Sequence, residues 1–277
     1  MLDCVLAGRL KQGRGDRIAV GDRVRVERLE EGPSRIAGIL PRGGKLARRA
    51  MEQEREQVIV ANVDQLVPVF ATRRPEPDPT MLDRLLVMAE LNGLDAFVVA
   101  NKVDLAPPGD DFGPARSAGY EVLATSAEDG TGLEALGDRL RDRTTALAGP
   151  SGAGKSTLLN RLLPEVDRRV ADVSERGGRG KHTTVNATLL PLPEGGWVAD
   201  TPGLQYLELW ELSPDELASA FPEFRRLLGS CRFNDCRHVE EPGCGIREAL
   251  EAGELDERRY ASYRSLLEEA EERRDPW

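Results

Sequence analysis

The chain has 277 residues, a formal net charge of −10, 40% hydrophobic residues and 31% charged residues. This length suits two or three domains, and the composition is that of a folded globular protein, not of a disordered or fibrous one. No run of 18 apolar residues occurs and residues 1–9 lack a secretory pattern, so we expect no membrane partner and a cytoplasmic location.

Residues 1–62 predict a small β-barrel of the OB type. Val20, Val24 and Val26 partly alternate with polar residues around a Gly-Asp turn, and a second strand is predicted at 35–40. Residues 1–60 carry 13 Lys and Arg against 9 Asp and Glu, a net charge of +4 in an otherwise acidic chain. Such a module can meet a phosphate backbone, although on charge alone a solvated surface is the simpler interpretation.

Residues 63–206 predict an α/β domain, because strand and helix patterns alternate as in a parallel sheet with helices on both faces. The predicted strands are 66–70, 95–100, 120–124 and 197–199, and a further strand passes through Leu147; the predicted helices are 80–91, 133–143 and one that begins at Lys155. Residues 207–277 predict a helical domain, with helices at 214–228 and 246–274 on either side of a Cys/His cluster.

Residues 149–156, Gly-Pro-Ser-Gly-Ala-Gly-Lys-Ser, match the phosphate-binding pattern G-x-x-x-x-G-K-[ST] in full. Such a loop turns backbone N–H groups towards a phosphate, its lysine reaches the terminal phosphates, and its serine hydroxyl ligates Mg²⁺. The expected nucleotide contacts are Gly149, Ser151, Gly152, Ala153, Gly154, Lys155, Ser156 and Thr157, with Ser156 also a magnesium ligand.

The sequence Asn101-Lys-Val-Asp104 selects the base. Guanine presents two neighbouring donors that one carboxylate accepts, and adenine lacks this pair, so Asp104 predicts GTP and GDP as ligands. Lys102 can lay its aliphatic stem on the base, and Asn101 can tie the loop together. The loop with Ser126 and Ala127 ends the next strand and resembles the GTPase loop that contacts the guanine carbonyl oxygen.

The strand at 197–199 leads into Asp200-Thr-Pro-Gly203, where Asp200 can hold the Mg²⁺ shell and the Gly203 N–H can meet the γ-phosphate. The polar, glycine-rich segment 174–184 predicts a switch that the γ-phosphate orders, with Thr183 or Thr184 completing the magnesium coordination. Thr184 is the expected magnesium ligand, and both threonines are expected nucleotide contacts.

The order of these motifs is a circular permutation. Ordinary GTPases begin with the phosphate-binding loop and end with the two base loops, whereas here the base loops come first. All of these loops follow parallel strands at one edge of a sheet, so relinking the chain elsewhere leaves the site intact.

The catalytic group is predicted to be His182. Many GTPases place a glutamine directly after D-x-x-G to orient the attacking water, but this chain has Leu204 there, with Gln205 one residue late. An imidazole near Thr184 can position water at neutral pH. Binding RNA or capping the switch loop is the alternative role of His182.

Cys231, Cys236, His238 and Cys244 have the spacing C-x4-C-x-H-x5-C. Three thiolates and one imidazole make a closed tetrahedral zinc site with no open position for water, so we expect one structural zinc ion. The alternative is three small buried cysteines beside a surface histidine.

Together these residues resemble the RsgA (YjeQ) family of ribosome small-subunit-dependent GTPases, over about residues 39–277. The permuted order, the Lys-His-Thr-Thr switch and the Cys/His knuckle carry the resemblance. It implies an OB-type barrel, a permuted GTPase domain and a C-terminal zinc domain, with a role in late maturation of the small ribosomal subunit. The implied partners are the small subunit and its rRNA, the subunit is expected to stimulate turnover, and we expect the chain to be a monomer.

The family barrel usually begins with further strands that are not evident here, so either the barrel is reduced or its start is misassigned. The sequence disfavours three other classes of protein. A signalling GTPase fits poorly because no lipidation motif is present, an ATP-using enzyme is disfavoured by Asp104, and a module with a dead nucleotide site is disfavoured by intact Lys155, Ser156 and Asp200.

Overall fold

The structure is a computed structural model that describes residues 2, 4–8, 17–29, 32–50, 55–163, 188–200 and 213–274. The described N-terminal residues form two small sheets. Strands β1 (Cys4–Leu6), β2 (Val24–Glu27) and β3 (Ser34–Ile39) pair in the order β1-β3-β2, and β4 (Lys45–Ala50) and β5 (Arg55–Ala61) form an antiparallel pair.

The two sheets are tied together around Val20 and Asp22. Val20 bridges to Val60, and the Ala61 N–H donates to the Val20 carbonyl oxygen at 2.8 Å. The Asp22 carboxylate accepts from the Arg42 guanidinium at 2.7 Å. The described residues between 4 and 61 therefore form a β module where the sequence predicts one, whereas the domain boundary at residue 62 stays a prediction.

The central sheet has seven strands within the described residues. They are β6 (Gln65–Ala71), β7 (Asp95–Ala96), β8 (Val98–Asn101), β9 (Val122–Thr125), β10 (Thr144–Ala148), β11 (Thr188–Pro191) and β12 (Trp197–Asp200). Their order is β11-β12-β10-β6-β8-β9, with β7 beside β6, and every pair is parallel except β11 with β12. The carboxyl ends of β12, β10, β6, β8 and β9 consequently lie at one edge.

Helices cover both faces of this sheet, as the sequence predicts. They are α1 (Pro79–Leu91), the short α2 (Gly113–Ser117), α3 (Leu133–Leu140) and α4 (Lys155–Leu162). Alternate residues of a strand point to opposite faces. Accordingly, Leu66 and Phe70 of β6 join the core that contains α1, whereas Val67 and Val69 join the core beneath α3 and α4.

The helices of the C-terminal region are shorter and more often interrupted than the sequence predicts. It contains α5 (Pro214–Leu217), 3₁₀ turns at 218–220 and 222–224, α6 (Gly245–Glu251) and α7 (Glu257–Arg274). The continuous helix expected over 214–228 is wrong, because Pro222 has no N–H to donate and cannot continue a helix. The expected helix over 246–274 is divided after α6, where Gly253 has a φ of +74°.

Helix α7 packs on α1, so the C-terminal region shares a core with the central sheet. Leu82 and Leu85 of α1 belong to the same buried cluster as Tyr263, Leu266 and Leu267 of α7. Arg84 pairs with Glu269 across this joint, and Arg259 pairs with Asp83. Within the described ranges, no helix combines the length and the apolar character that crossing a membrane requires.

Candidate functional site

The phosphate-binding loop connects β10 to α4 over residues 149–154. A Cβ atom at Gly149, where φ is +135°, would lie 2.1 Å from the Val69 carbonyl oxygen of β6. A Cβ atom at Gly154, where φ is +94°, would lie 2.3 Å from Nδ2 of Asn101. Side chains at these two positions would collide with neighbouring strands, so the loop can follow its tight path only with glycine.

The Lys155 ammonium lies within the curve of this loop, where it donates to the Gly149 and Pro150 carbonyl oxygens at 2.7 and 2.8 Å. The side chains around it differ in exposure: Ser151, Ser156 and Thr157 are exposed, and Ala153 is fully buried. The loop therefore offers a positive charge and a helix N-terminus together, which is the arrangement that binds phosphate.

Asn101 joins three of the predicted loops. Its side chain is buried, with 1% exposed, and Nδ2 donates to the Ala153 carbonyl oxygen at 2.9 Å. Its Oδ1 accepts from the Thr125 hydroxyl at 3.1 Å. One amide thus connects the phosphate-binding loop to the ends of β8 and β9.

Asp104 is exposed, but its carboxylate is held in place. The Ser126 hydroxyl donates to Asp104 Oδ1 at 2.7 Å, and the same hydroxyl accepts from the N–H groups of Glu128 and Asp129 at 3.2 Å. Ala127 is buried beside this contact, with 7% exposed. The two predicted base loops therefore meet, and a hydrogen bond orients the carboxylate expected to accept from guanine.

The loop after β6 also belongs to this edge, and the sequence analysis missed it. The Thr72 hydroxyl donates to the Lys102 carbonyl oxygen at 2.9 Å, and the Lys102 ammonium donates to the Arg74 carbonyl oxygen. Residue 102 has a φ of +63°, so this pair of contacts holds an uncommon backbone conformation. The place of this loop in the site follows from the position of β6 next to β10, which no pattern in the sequence gives.

The remaining predicted residues fall at or beyond the limits of the described chain. Strand β12 ends at Asp200 beside β10, so this residue follows a neighbouring parallel strand at the same edge as the phosphate-binding loop. His182, Thr183, Thr184 and Gly203 lie outside the described residues. Their roles in coordination and catalysis stay predictions.

The four predicted zinc ligands come together. One ligand atom from each of Cys231, Cys236, His238 and Cys244 lies within 4.8 Å of all the others. Nδ1 of His238 is 3.5 Å from the Cys231 sulfur and 3.4 Å from the Cys244 sulfur, and these two sulfurs are 3.9 Å apart. Tetrahedral zinc with its usual bond lengths places its sulfur ligands about 3.8 Å apart, so the donor set fits this ion.

The cluster is partly buried and is hydrogen-bonded to helix α7. His238 is 6% exposed and has a φ of +61°, and its carbonyl oxygen accepts from the Tyr260 hydroxyl at 2.7 Å. Burial raises the pKa of the Cys236 thiol, and the neighbouring thiols raise it further, an effect that a bound dication would oppose. Burial also acts to raise the pKa of Glu241, but backbone N–H groups around the knuckle outweigh it and lower this pKa to about 2.

The parallel edge, the tied base loops and the motif order define a circularly permuted P-loop GTPase. The chain matches the model of the RsgA GTPase family over residues 39–210. It is 50% identical over 273 residues to the small ribosomal subunit biogenesis GTPase RsgA of Gemmatimonas aurantiaca, covering 95% of this chain and 89% of the relative. The protein of the same name from Moorella thermoacetica is 43% identical over 251 residues, covering 90% and 83%.

Two solved structures agree with this assignment. YjeQ from Thermotoga maritima superposes with a TM-score of 0.77 at 36% identity, covering 97% of this chain and 90% of that one. YloQ, described as a circularly permuted GTPase, superposes with a TM-score of 0.75 at 30% identity, covering 98% and 87%. The chain belongs to the RsgA GTPase family, which confirms the resemblance that its motifs carry.

Proposed function

We propose that this chain hydrolyses GTP as a factor in the biogenesis of the small ribosomal subunit, and that the subunit stimulates its turnover. The observation that carries the proposal is the Asn101 side chain, which joins the phosphate-binding loop to the base loops through Ala153 and Thr125. The curated relatives bear the name of a small-subunit biogenesis GTPase, which supports the same role.

Guanine is selected by Asp104 in this proposal. Two neighbouring donors of guanine face one carboxylate, and the Ser126 hydroxyl holds that carboxylate at 2.7 Å. Because adenine presents no such pair of donors, it leaves Asp104 desolvated without compensation. Lys102 covers one face of the base with its aliphatic stem, while its ammonium is retained by the Arg74 carbonyl oxygen.

Ser156, Thr184 and Asp200 would hold Mg²⁺ against the phosphates, and the ion would neutralise charge that develops on them. Lys155 exchanges its two loop carbonyl partners for phosphate oxygens when a nucleotide enters. The Gly203 N–H meets the γ-phosphate, and His182 orients the attacking water once the switch that carries Thr183 and Thr184 is ordered.

The Cys/His cluster holds one zinc ion with a structural role, since four protein ligands leave no position for water. The basic N-terminal module, residues 1–62, contacts phosphates of the small-subunit rRNA. Residues 63–206 form the GTPase domain and residues 207–277 the zinc domain. The chain works as a monomer in the cytoplasm, where small subunits mature.

The deciding experiment measures GTP turnover by the purified chain alone, with small subunits and with large subunits as the control. Slow turnover alone and a marked increase with small subunits only is the expected result. Lys155→Ala should abolish turnover in every arm, which excludes a contaminating GTPase. Equal rates with both subunits would contradict the ribosomal part of the proposal, and equal competition by ATP would contradict the guanine assignment.

A further inference from the structure

The loop between β6 and α1, residues 72–78, runs along both halves of the nucleotide site. At its start, the Thr72 N–H donates to the Asn101 carbonyl oxygen at 2.8 Å, and the Arg74 carbonyl oxygen accepts from the Lys102 ammonium. A Cβ atom built at Gly152 would lie 3.5 Å from Cδ of Pro75. The loop therefore touches the base loop and the tip of the phosphate-binding loop within a few residues.

Arg73 and Arg74 are exposed on this loop, and neither has a carboxylate partner within the part of the chain that the structure describes. Glu76, two residues further on, pairs with neither of them. This lack of a carboxylate partner is unusual, because most arginines described from residue 63 onwards form ion pairs with carboxylates. Among the arginines from residue 63 onwards whose side chains the structure describes, the other exceptions are Arg116, Arg161, which bonds to the Glu128 carbonyl oxygen, and Arg232, which lies over Phe233.

We propose that Arg73 and Arg74 form an additional phosphate-binding element of the nucleotide site, placed beside the first phosphate. The Arg74 carbonyl oxygen contacts Lys102, on the base side, and the next residue, Pro75, lies beside Gly152, on the phosphate side. A nucleotide with its base on Lys102 and its terminal phosphates in the loop would place its ribose and first phosphate between these two contacts. A guanidinium offers paired donors that match phosphate oxygens. In a chain of net charge −10, two adjacent cations without carboxylate partners favour an anionic ligand.

This inference rests on the proposed guanine-nucleotide function, and the experiment separates the two. Calorimetric titration measures the affinities for GDP, GMP and guanosine, first of the unmodified full chain and then of its variants. Failure of the unmodified chain to bind GDP would count against the function itself. The test variant is Arg73→Ala combined with Arg74→Ala. The matched control is Arg116→Ala, which removes another exposed arginine that has no carboxylate partner among the described residues.

The double variant should bind GDP and GMP about tenfold more weakly, because a charge-assisted contact to each phosphate-bearing ligand is lost. Guanosine affinity should be unchanged, and Arg116→Ala should bind all three ligands normally. Replacing both arginines by lysine should recover part of the lost affinity. Raising the salt to 0.5 M, which is about threefold above physiological ionic strength, should screen the contact and reduce the affinity difference between the unmodified chain and the alanine variant.

Unchanged GDP affinity in the alanine variant would overturn the proposal. Equal weakening of guanosine and GDP would also overturn it, because the effect would then come from a displaced loop and not from a lost phosphate contact. If only the subunit-stimulated turnover fell while nucleotide affinity stayed the same, the two arginines would face rRNA phosphates instead.

Discussion

Replacing Arg259 with methionine should weaken the joint between the C-terminal helices and the central sheet far more than an exposed arginine would. The Arg259 side chain is 1% exposed, and its guanidinium lies 2.7 Å from a carboxylate oxygen of Asp83 in α1 and 2.7 Å from one of Glu223. It also lies over the Phe221 ring, 4.7 Å from the centroid. One side chain thus connects α7, α1 and the 3₁₀ turn at 222–224.

The expected magnitude follows from burial. Removing one member of a buried ion pair costs about 3–5 kcal/mol, because the remaining charge is left without compensation in a poorly polarisable surrounding. Burial acts to lower the pKa of Arg259, but Glu223 and Asp83 outweigh it and the net shift is upward, so the guanidinium stays charged. Methionine keeps much of the apolar contact of the stem and removes the charge.

The pH dependence gives a second, independent readout. Burial raises the pKa of Asp83 above its ordinary value of 3.8, and Arg259 opposes this increase. A carboxyl whose pKa is raised on folding stabilises the folded chain at low pH and loses that contribution as the pH rises through the folded-state pKa. Because Arg259→Met removes the opposing charge, this pKa should rise further, and the stability lost by the variant should be smaller at pH 5 than at pH 8.

Urea unfolding followed by far-ultraviolet circular dichroism measures both effects, at a fixed zinc concentration. The matched control is Arg258→Met on the same helix, whose side chain is 49% exposed and pairs with Asp256. It should cost about 1 kcal/mol or less. A loss for Arg259→Met no greater than for the control, or a loss that grows towards pH 5, would refute the reasoning.

The other predictions concern the ligands and the chemistry. Asp104→Asn should weaken GTP binding by about 2 kcal/mol or more and favour xanthine nucleotides, whose 2-oxo group accepts from an amide; calorimetry with both nucleotides checks this, and retained guanine preference would exclude Asp104. Freshly purified, unchelated protein should contain one zinc ion per chain by elemental analysis, and Cys236→Ser should reduce stability or ribosome binding more than intrinsic hydrolysis; protein free of zinc would refute the site. His182→Ala should keep GTP affinity and basal turnover while losing the subunit-stimulated rate, and undiminished stimulation would mean that the ribosome supplies the catalytic group.

The nucleotide loops could be predicted from the sequence because each has a local pattern at the end of an apolar strand. Gly149, Asn101 and Ser126 belong to short motifs whose chemistry is readable without neighbours, and the structure brings them to one edge. Thr72 contributes a hydroxyl and Arg74 a backbone carbonyl oxygen, so no pattern of residue types predicts their role. Their part in the site follows from strand order, which sequence periodicity does not give.

The errors in the fold have similarly local causes. Strand β11 was not predicted, and it pairs antiparallel with β12 through a tight turn in which the Leu192 N–H donates to the Gly196 carbonyl oxygen at 3.0 Å. The segment 214–228 has enough apolar residues for a helix, but Phe221 and Phe224 stack on each other with ring centroids 5.1 Å apart and pack edge-on against Tyr263. Tertiary packing of these aromatic rings replaces the helix, and Pro222, which lies between the two phenylalanines in the sequence, interrupts it.

The permuted order gives the C-terminal region two attachments to the nucleotide edge. At one end, β12 stops at Asp200, and only residues 201–213, which include Gly203, separate it from α5. At the other end, Arg259 fixes α7 to α1, and α1 begins directly after the loop that carries Arg74. The Cys/His cluster, which is the predicted zinc site, lies in the chain between these two attachments.

The chain therefore links the predicted γ-phosphate contact, Gly203, directly to a region that Arg259 also fixes to α1. If stimulation by the subunit passes through this region, Arg259→Met should reduce the subunit-stimulated turnover more than the basal turnover. Steady-state turnover with and without small subunits, at a temperature where the variant is fully folded, measures the two rates. Equal reduction of both rates would show that the joint serves stability alone.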